Sequence, residues 1–382
     1  MIEQQSHLMV RQLHLTNFRN YESLLLPLPG GVVALVGSNG QGKTNIAEAL
    51  GYLSTLRSHR VATQAPLIRH GCDRAVIAAE VVRDDRSLTV DLEIIAGQAN
   101  KGRINKVPVA RAREVLGVLN TVTFAPEDLA LVRGDPAERR LFLDTLATQR
   151  HPRIAGVISD YERVLKQRNA LLKSTGRTHR GNDPNIASTL SVWDEQLVRF
   201  GSEIMLARAD LIDQLRPLCA RIYQELAPDS DALELNYVDT VGGNAINGTQ
   251  EELETAFMLV LAEKRHQELD RGVSLVGPHR DDLRLMLGQA PVKGYASHGE
   301  SWSVALAARL ASYELLSRER ATPVLILDDV FAELDARRRM LLAERVMSAP
   351  QVLITAAVDE DVPGDFVTSW FQVRQGEVVE RG

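Results

Sequence analysis

The sequence predicts an α/β protein whose mixed β-sheets are interrupted by a long helical insertion. Three observations predict it. An apolar, β-branched run, Val32-Val33-Ala34-Leu35-Val36, ends in glycines and opens into a helix-forming segment from Asn45 to Leu56. Far downstream a second apolar run, Val324-Leu325-Ile326-Leu327, ends in two carboxylates, Asp328 and Asp329. Between them, from Ile154 to Leu171 and from Leu190 to Leu215, the apolar residues recur at helical spacing.

The stretch joining the first strand to its helix is Gly37-Ser38-Asn39-Gly40-Gln41-Gly42-Lys43-Thr44, which fits the phosphate-binding pattern G-x-x-x-x-G-K-[ST] without a gap. Glycines let successive backbone N–H groups turn inward around a triphosphate, where a Cβ would obstruct them. The following helix adds the partial positive charge of its N-terminus. Lys43 can reach the β- and γ-phosphates, and the Thr44 hydroxyl can ligate Mg²⁺. A chance glycine-rich turn would need neither the preceding strand nor the Lys and Thr. The expectation is therefore an ATP site whose loop, Gly37 to Thr44, cradles the phosphates.

At 382 residues the chain has room for a large core and more than one lobe. No apolar run approaches the roughly 18–20 residues that span a bilayer, and Met1 to Leu8 lacks the apolar core of a signal peptide. Met9 is a second possible start. The two cysteines, Cys72 and Cys219, stand apart with no C-x-x-C, which argues against a disulfide or zinc scaffold and for a cytoplasmic protein. Net charge is −6, yet residues 57–113 hold 11 Lys/Arg against 6 Asp/Glu, and residues 225–272 hold 3 against 11. That asymmetry fits separate basic and acidic faces, although ordinary solvation of two surfaces explains it as well.

In chain order, Val10 to Leu15 alternate and a turn at Asn17-Phe18-Arg19-Asn20-Tyr21 leads to Leu24–Leu28, an antiparallel entry to the buried strand. Arg19 and Asn20 are placed either to touch nucleotide or to form a surface turn. Ala75–Val82 and Leu88–Ile95 read as strands joined at Arg83 to Arg86, with Lys101 to Val107 as a further hairpin strand. Asp135 is placed to cap a helix that has Pro136 at its first position. Ile154, Val157, Ile158, Tyr161, Val164, Leu165 and Leu171 mark an amphipathic helix, and the polar interval Ser174–Asn185 ends it. Leu190, Trp193, Leu197, Phe200, Ile204, Ala207, Leu211 and Leu215 then repeat with a period near 3.5, as in a helix packed along a partner. An antiparallel helical hairpin satisfies both patterns. A helix near Glu251 to Asp270 follows. The run from Gly277 to Asp282 reads as charged contacts between lobes, since one His is a poor basis for a metal site.

In phosphate-loop proteins the first acid after the downstream strand positions Mg²⁺ and the next polarises the attacking water. Those roles fall on Asp328 and Asp329. Upstream, Ser297-His298-Gly299-Glu300-Ser301 precedes a helical run from Trp302 to Leu316. Its hydroxyl, free N–H groups and helix dipole suit a γ-phosphate, although Ser and Gly are also ordinary capping residues. The order is phosphate loop, long insertion, Ser-x-Gly turn, acidic strand, then Glu333-Leu334-Asp335. It resembles the ATP-binding cassette superfamily, in which the Ser-Gly turn of one subunit closes on nucleotide held by another. Thr355 stands where many cassettes place a histidine that senses the γ-phosphate.

Further motifs narrow the resemblance: Ser58-His59-Arg60, Pro126-Glu127-Asp128, Arg139-Arg140-Leu141-Phe142-Leu143-Asp144, Gly277 to Leu283, and Leu327-Asp328-Asp329-Val330-Phe331-Ala332. With Asn17 to Tyr21 and the phosphate loop, they make nearly the whole chain similar to the RecF family of bacterial DNA replication and repair proteins. His298, Glu300 and Ser301 depart from the Ser-Gln-Gly-Gln-Gln common there, while Ser297 and Gly299 remain. The resemblance implies an ATP-binding cassette head with a short inserted helical arm. Residues 1–125 and 271–382 are expected in the head and 126–270 in the arm. It implies Lys43 and Asp329 as catalytic residues, and Gly37 to Thr44 with Ser297 and Gly299 as ATP-binding residues. Thr44 and Asp328 are the implied Mg²⁺ ligands. It further implies a homodimer formed on ATP binding, slow DNA-stimulated hydrolysis, affinity for single-stranded and gapped duplex DNA, work with RecR and RecO in loading RecA, and a part in the SOS response. Arg57, Arg60, Arg103, Lys106 and Arg139 are candidate DNA contacts by charge. Two other classes share the phosphate loop. The energy-coupling subunit of a membrane transporter rarely carries such an arm, and a small-molecule kinase has no need of Ser297-His298-Gly299.

Overall fold

A computed structural model describes residues 7–84, 86–178, 184–319, 321–362 and 364–381. The chain divides into two compact units. The first comprises residues 1–130, 218–230 and 297–382, and the second 131–217 and 231–296. Residues 271–296, grouped with the head on sequence grounds, thus fall in the second unit.

In chain order the strands are β1 (Leu8–Phe18), β2 (Tyr21–Pro27), β3 (Gly31–Val36), β4 (Arg74–Arg83), β5 (Arg86–Ile95), β6 (Lys101–Ile104), β7 (Val107–Pro108) and β8 (Thr121–Phe124). The second unit carries β9 (Leu233–Val238), β10 (Asp282–Leu287) and β11 (Ala290–Pro291), and the first unit resumes with β12 (Val324–Asp328), β13 (Gln351–Ala356), β14 (Ser369–Arg374) and β15 (Glu377–Arg381).

Two sheets build the first unit. The order β2-β1-β4-β5-β6-β7 is antiparallel throughout, as the alternating apolar residues of β1 and β4 require. The order β15-β14-β3-β13-β12-β8 is parallel except for the β14–β15 hairpin. Its central strands are buried on both faces, which explains their unbroken apolar runs. Helix Lys43–Thr55 contributes Ile46, Ala47, Ala49, Leu50, Tyr52 and Leu53 to one core that also takes residues from β1, β2, β4, β5, β3, β12 and β13. Its last turn closes on Leu56 in the left-handed region, whose N–H donates to the Tyr52 carbonyl. Helix His298–Glu319 packs against β8, and Glu314 on it accepts from Arg221 and Arg345 at 2.5 and 2.8 Å.

The second unit is more than the expected hairpin. Helix Ile154–Thr178 is longer than its apolar stripe indicated, running through Ser174 to Thr178, and helix Pro184–Leu226 has 43 residues, of which those up to Pro217 belong to this unit; of the polar interval, residues 179–183 lie outside those described. Helix Gln250–Arg271 makes a third member. It starts on a capping box between Thr249 and Glu252 and stops at Gly272, which is left-handed with φ 65°. One buried cation joins the three helices: Arg168 donates to Asp194 Oδ1 at 2.7 Å, to Glu268 Oε2 at 2.6 Å and to Ser274 Oγ at 2.7 Å. A guanidinium this deep is tolerable only with its charge matched and its donors used. Helix Pro136–Arg150 starts at Asp135 as expected, but the Asp135 side chain makes no cap hydrogen bond.

The charged run after Gly277 makes its contacts within the second unit. Asp281 accepts from Tyr237 Oη at 2.7 Å and from the Thr240 amide and hydroxyl, each at 2.9 Å. Tyr161 Oη lies 2.6 Å from His279 Nδ1, and Gly277 has φ 126° with Tyr161 and Phe257 where a Cβ would go. Burial pushes the His279 imidazole down to about 4 and the Asp281 carboxyl up to about 6. The two shifts act oppositely on stability. His279 charges more readily when unfolded, so its contribution falls as pH drops from about 6.5 toward 4. Asp281 holds its proton more tightly when folded, so its contribution grows as pH drops from about 6 toward its ordinary carboxylate range. Replacing His279 by Gln leaves only the second slope. Relative to the parent, the variant's unfolding free energy is expected to improve by about 3 kcal/mol between pH 7 and pH 4, measured by urea denaturation at each pH.

Candidate functional site

Parallel pairing sets the site's position. Asp328 of β12 is in register with Thr355 of β13, and Thr355 with Leu35 of β3. The acidic strand end and the start of the glycine loop therefore leave the same edge of the sheet, two strands apart, about 10 Å. Loops at the carboxyl ends of parallel strands are where such sheets bind ligands.

The glycine loop is shaped by close approaches. A Cβ on Gly37 would sit 2.2 Å from the Val373 carbonyl oxygen. At Gly42, φ is 118°, and a Cβ would meet Tyr21 Oη at 2.6 Å and Asn20 Nδ2 at 2.8 Å; no other residue fits there. The hairpin turn between β1 and β2 braces the loop from behind. Asn20 Nδ2 donates to the Gln41 carbonyl at 3.1 Å, Tyr21 Oη donates to the Gly42 carbonyl at 3.1 Å, and Asn45 donates to Asn20 Oδ1 at 2.7 Å. Gln41 is tied from the other side by the amides of Gln375 and Gly376. Lys43 is buried and donates to the Ser38 carbonyl at 3.2 Å. Burial lowers the affinity of its amine for a proton, against the opposing pull of Asp329 and Asp328. Lys43 and both acids thus share one electrostatic environment. Thr44, beside it, is half-buried.

Asp328 is buried, and its Oδ1 accepts from Thr355 Oγ1 at 2.6 Å. Asp329 adopts φ 52°, in the left-handed region, and its N–H donates to Thr355 Oγ1 at 3.0 Å. That conformation is tolerated better by Asp than by most residues, and such strain gathers at functional positions. Burial, then the neighbouring Asp328 charge, holds the Asp329 carboxyl above its usual range, with Lys43 opposing. A carboxylate with raised proton affinity is a better base than an exposed one. One hydroxyl and one or two carboxylates are the hard-oxygen set that Mg²⁺ takes beside substrate phosphates, so Thr44 and Asp328 fit that ion. Among the described residues no group of three or more His, Cys, Asp or Glu forms a metal cage.

The Ser297 turn is a capping box at the start of helix His298–Glu319. The Glu300 amide donates to Ser297 Oγ at 3.2 Å, and the Ser297 amide to Glu300 Oε2 at 2.8 Å. Glu300 therefore has a local task, and the Ser297 amide holds its carboxyl below the usual range. Ser297 is exposed, and its hydroxyl also helps to hold the Glu300 carboxyl down. Arg338 lies against Gly299, where a Cβ would come within 3.2 Å of its guanidinium, and donates to Ser303 Oγ at 2.8 Å. Arg338 also pairs with Asp335, which caps helix Ala336–Val346. The Glu333-Leu334-Asp335 segment is thereby fastened to the Ser-x-Gly turn.

The basic candidates separate. Arg57, Arg103 and Lys106 are exposed. Lys106 is at the tip of the β6–β7 hairpin, where Asn105 and Lys106 have φ 50° and 66°. Arg60 donates to Asn45 Oδ1 at 2.8 Å and lies 3.4 Å from Glu48, so it is tied to the helix that follows the glycine loop. Arg139 is buried, forks onto both oxygens of Asp282 at 2.7 and 2.9 Å and donates to the Gly134 carbonyl. Its donors are spent inside its own unit, and it is withdrawn as a DNA contact.

Sequence reasoning missed Glu48. It is fully buried, accepts from Arg19 at 2.6 and 2.7 Å and from Ser58 Oγ at 2.5 Å, and clips the Ser58-His59-Arg60 loop to the helix. Of the two readings of the β1–β2 turn, its bonds make Asn20 a brace of the loop and Arg19 a partner of Glu48. A Glu one turn inside an apolar helix was the available signal.

The RecF/RecN/SMC N terminal domain family matches residues 9–373. A Streptomyces avermitilis protein named DNA replication and repair protein RecF is 56% identical over 371 residues, covering 97% of this chain and 99% of that protein. A Rhodococcus erythropolis protein of the same name is 50% identical, covering 96% and 94%. Among solved structures, the recombination mediator protein RecF with ATP superposes with a TM-score of 0.91 at 24% identity over the full length of both chains. The Smc head domain of Pyrococcus furiosus superposes with 0.54 at 16% identity over 98% of this chain and 96% of that one. Fold, family match and full-length identity agree: this chain belongs to the RecF family of DNA replication and repair proteins, with the ATP-binding cassette head that it shares with SMC proteins.

Proposed function

We propose that this chain is an ATP-gated DNA-binding ATPase of recombinational repair. In this reading ATP binds at Gly37 to Thr44, and two nucleotide-loaded copies pair. Ser297 and Gly299 of each face the γ-phosphate held by the other, and the closed pair grips single-stranded and gapped duplex DNA. The observation that carries it is the convergence of buried Lys43 and Asp328 with half-buried Asp329 at one sheet edge. Support for ATP as the nucleotide comes from the solved RecF–ATP protein of the same fold. Support for DNA comes from the name carried by the relatives at 50–56% identity, and support for RecO and RecR as partners from the RecFOR pathway named with that solved protein. RecA loading at gaps, a part in the SOS response and a cytoplasmic location complete the reading; among the described residues no helix is long and apolar enough to cross a membrane. The second unit is the inserted arm.

The chemistry assigned is positioning and charge. Lys43 neutralises β- and γ-phosphate oxygens, and the loop amides fix the triphosphate. Thr44 and Asp328 would hold Mg²⁺, which supplies further neutralisation across the phosphates. Asp329 accepts a proton from the attacking water. Exposed Arg57, Arg103 and Lys106, with the outward edge of Arg60, meet DNA phosphates.

Replacing Lys43 by Ala is expected to weaken ATP binding by roughly two orders of magnitude, about 2.7 kcal/mol. Asp329→Asn is expected to keep ATP affinity, stop turnover and accumulate a dimer in sedimentation velocity. A parent protein that stays monomeric with ATP at every concentration tried would sink the composite site. Replacing Arg103 and Lys106 by Glu is expected to weaken DNA binding alike for all sequences. It should also flatten the plot of log affinity against log salt by roughly one unit per lost contact, with nucleotide binding unchanged.

A further inference from the structure

Histidine 59 is used by nothing described so far. It follows the helix that leaves the glycine loop, in a short segment built to stay in place. Ser58 Oγ donates to buried Glu48 at 2.5 Å while accepting from the Arg60 and Val61 amides, each at 3.0 Å, and Arg60 reaches Asn45 and Glu48. The held loop delivers the His59 ring to the acidic strand end, where Nε2 stands 3.5 Å from Asp328 Oδ2. That nitrogen is buried and makes no hydrogen bond. It faces the one Asp328 oxygen that Thr355 does not use.

A buried ring nitrogen without a partner is costly, and the cost calls for a use. The spacing lies just beyond a normal hydrogen bond, the looseness common in unliganded sites whose contacts tighten only with substrate. Loss of a partner that orients a metal-binding side chain typically weakens metal affinity roughly 10–100-fold. Position 355, where cassette proteins often carry a histidine, holds a threonine whose single donor is spent on Asp328 Oδ1.

We infer that His59 is a positioning residue of the nucleotide site: its Nε2–H holds the free oxygen of Asp328 and orients that carboxylate for magnesium-bound ATP. The residue acts through Asp328 and is not a base. The inference rests on the ATP–Mg²⁺ reading of the Lys43 loop.

The test is equilibrium binding of a fluorescent ATP analogue to the full chain, in EDTA and across a Mg²⁺ titration, for the parent, His59→Ala, His59→Gln and Lys43→Ala. Glutamine can place an amide N–H near the position of Nε2, and alanine cannot. In EDTA, His59→Ala is expected to bind within twofold of the parent, which also shows that the loop is folded. Its Mg²⁺ midpoint is expected to rise roughly tenfold, and His59→Gln to return it to within threefold. An alanine variant with the parent's Mg²⁺ midpoint overturns the inference, as does a glutamine variant no better than alanine. An alanine variant that loses affinity equally with and without Mg²⁺ also overturns it, because the effect is then on the loop. If the parent binds no nucleotide, or Lys43→Ala binds as well as the parent, the reading of the site fails and this inference with it.

Discussion

The structure depends on one burial that would be unfavourable without its surroundings: the Lys43 ammonium, 3% exposed, at the carboxyl edge of a parallel sheet. Taking an ammonium out of water costs several kcal/mol unless opposite charge and acceptors are near. Here the Ser38 carbonyl accepts from it, and Asp328 and Asp329 supply the charge. Both acids can be there only because β13 alone separates β3 from β12 and all three run parallel. Sheet order, not local sequence, makes the lysine tolerable, and a triphosphate would meet a cation already fixed in place. Fixing charges beforehand is what catalysis by positioning and electrostatics requires.

A loop this rich in glycine loses much conformational freedom when it is fixed. The bracing comes from two hairpin turns that flank it. Asn20 and Tyr21 from the β1–β2 turn, and the Gln375-Gly376 amides from the β14–β15 turn, bond to loop backbone and to the Gln41 side chain. Glu48 anchors the next turn of chain, since Arg19 and Ser58 meet on its buried carboxylate. Removing Arg19 would leave that carboxylate poorly matched, at a cost of about 3–5 kcal/mol for breaking a buried pair. The antiparallel sheet therefore supports nucleotide binding as well as enclosing helix Lys43–Thr55.

What the sequence made legible is what neighbouring residues decide. The strand, glycine loop and helix from Val32 to Thr55, the acidic end of β12 and the hairpins of the antiparallel sheet follow from period and turn chemistry, and the structure has them within a few residues. Long-range pairing was not legible. Charge marked Arg139 as a DNA contact, but Asp282, 143 positions away, occupies it. The heptad spacing after Leu190 called for one partner helix, whereas Asp194 and Glu268 both meet Arg168, which adds a third. No window of sequence reveals which distant carboxylate will claim a guanidinium. Glu48 was missed for the same reason, its value lying in an arginine 29 positions upstream.

The departures in the Ser297 turn show how far a motif can drift while its physics stays. Glutamine at 300 would cap through a neutral amide, and Glu300 caps through a carboxylate near the positive end of its helix, a favourable place for negative charge. The turn thus keeps its geometry while gaining an anion. That anion would stand near the phosphates of any nucleotide the turn approached, and repulsion there would oppose closure. The capping bond answers part of this, because the Ser297 amide engages Glu300 Oε2 and holds it toward the backbone. Arg338, against Gly299 and bonded to Ser303, supplies the compensating positive charge next to the same turn. Ser297, Glu300 and Arg338 are therefore best read together as one unit, in which the Ser297 amide and the Arg338 charge both favour the ionised Glu300 carboxyl.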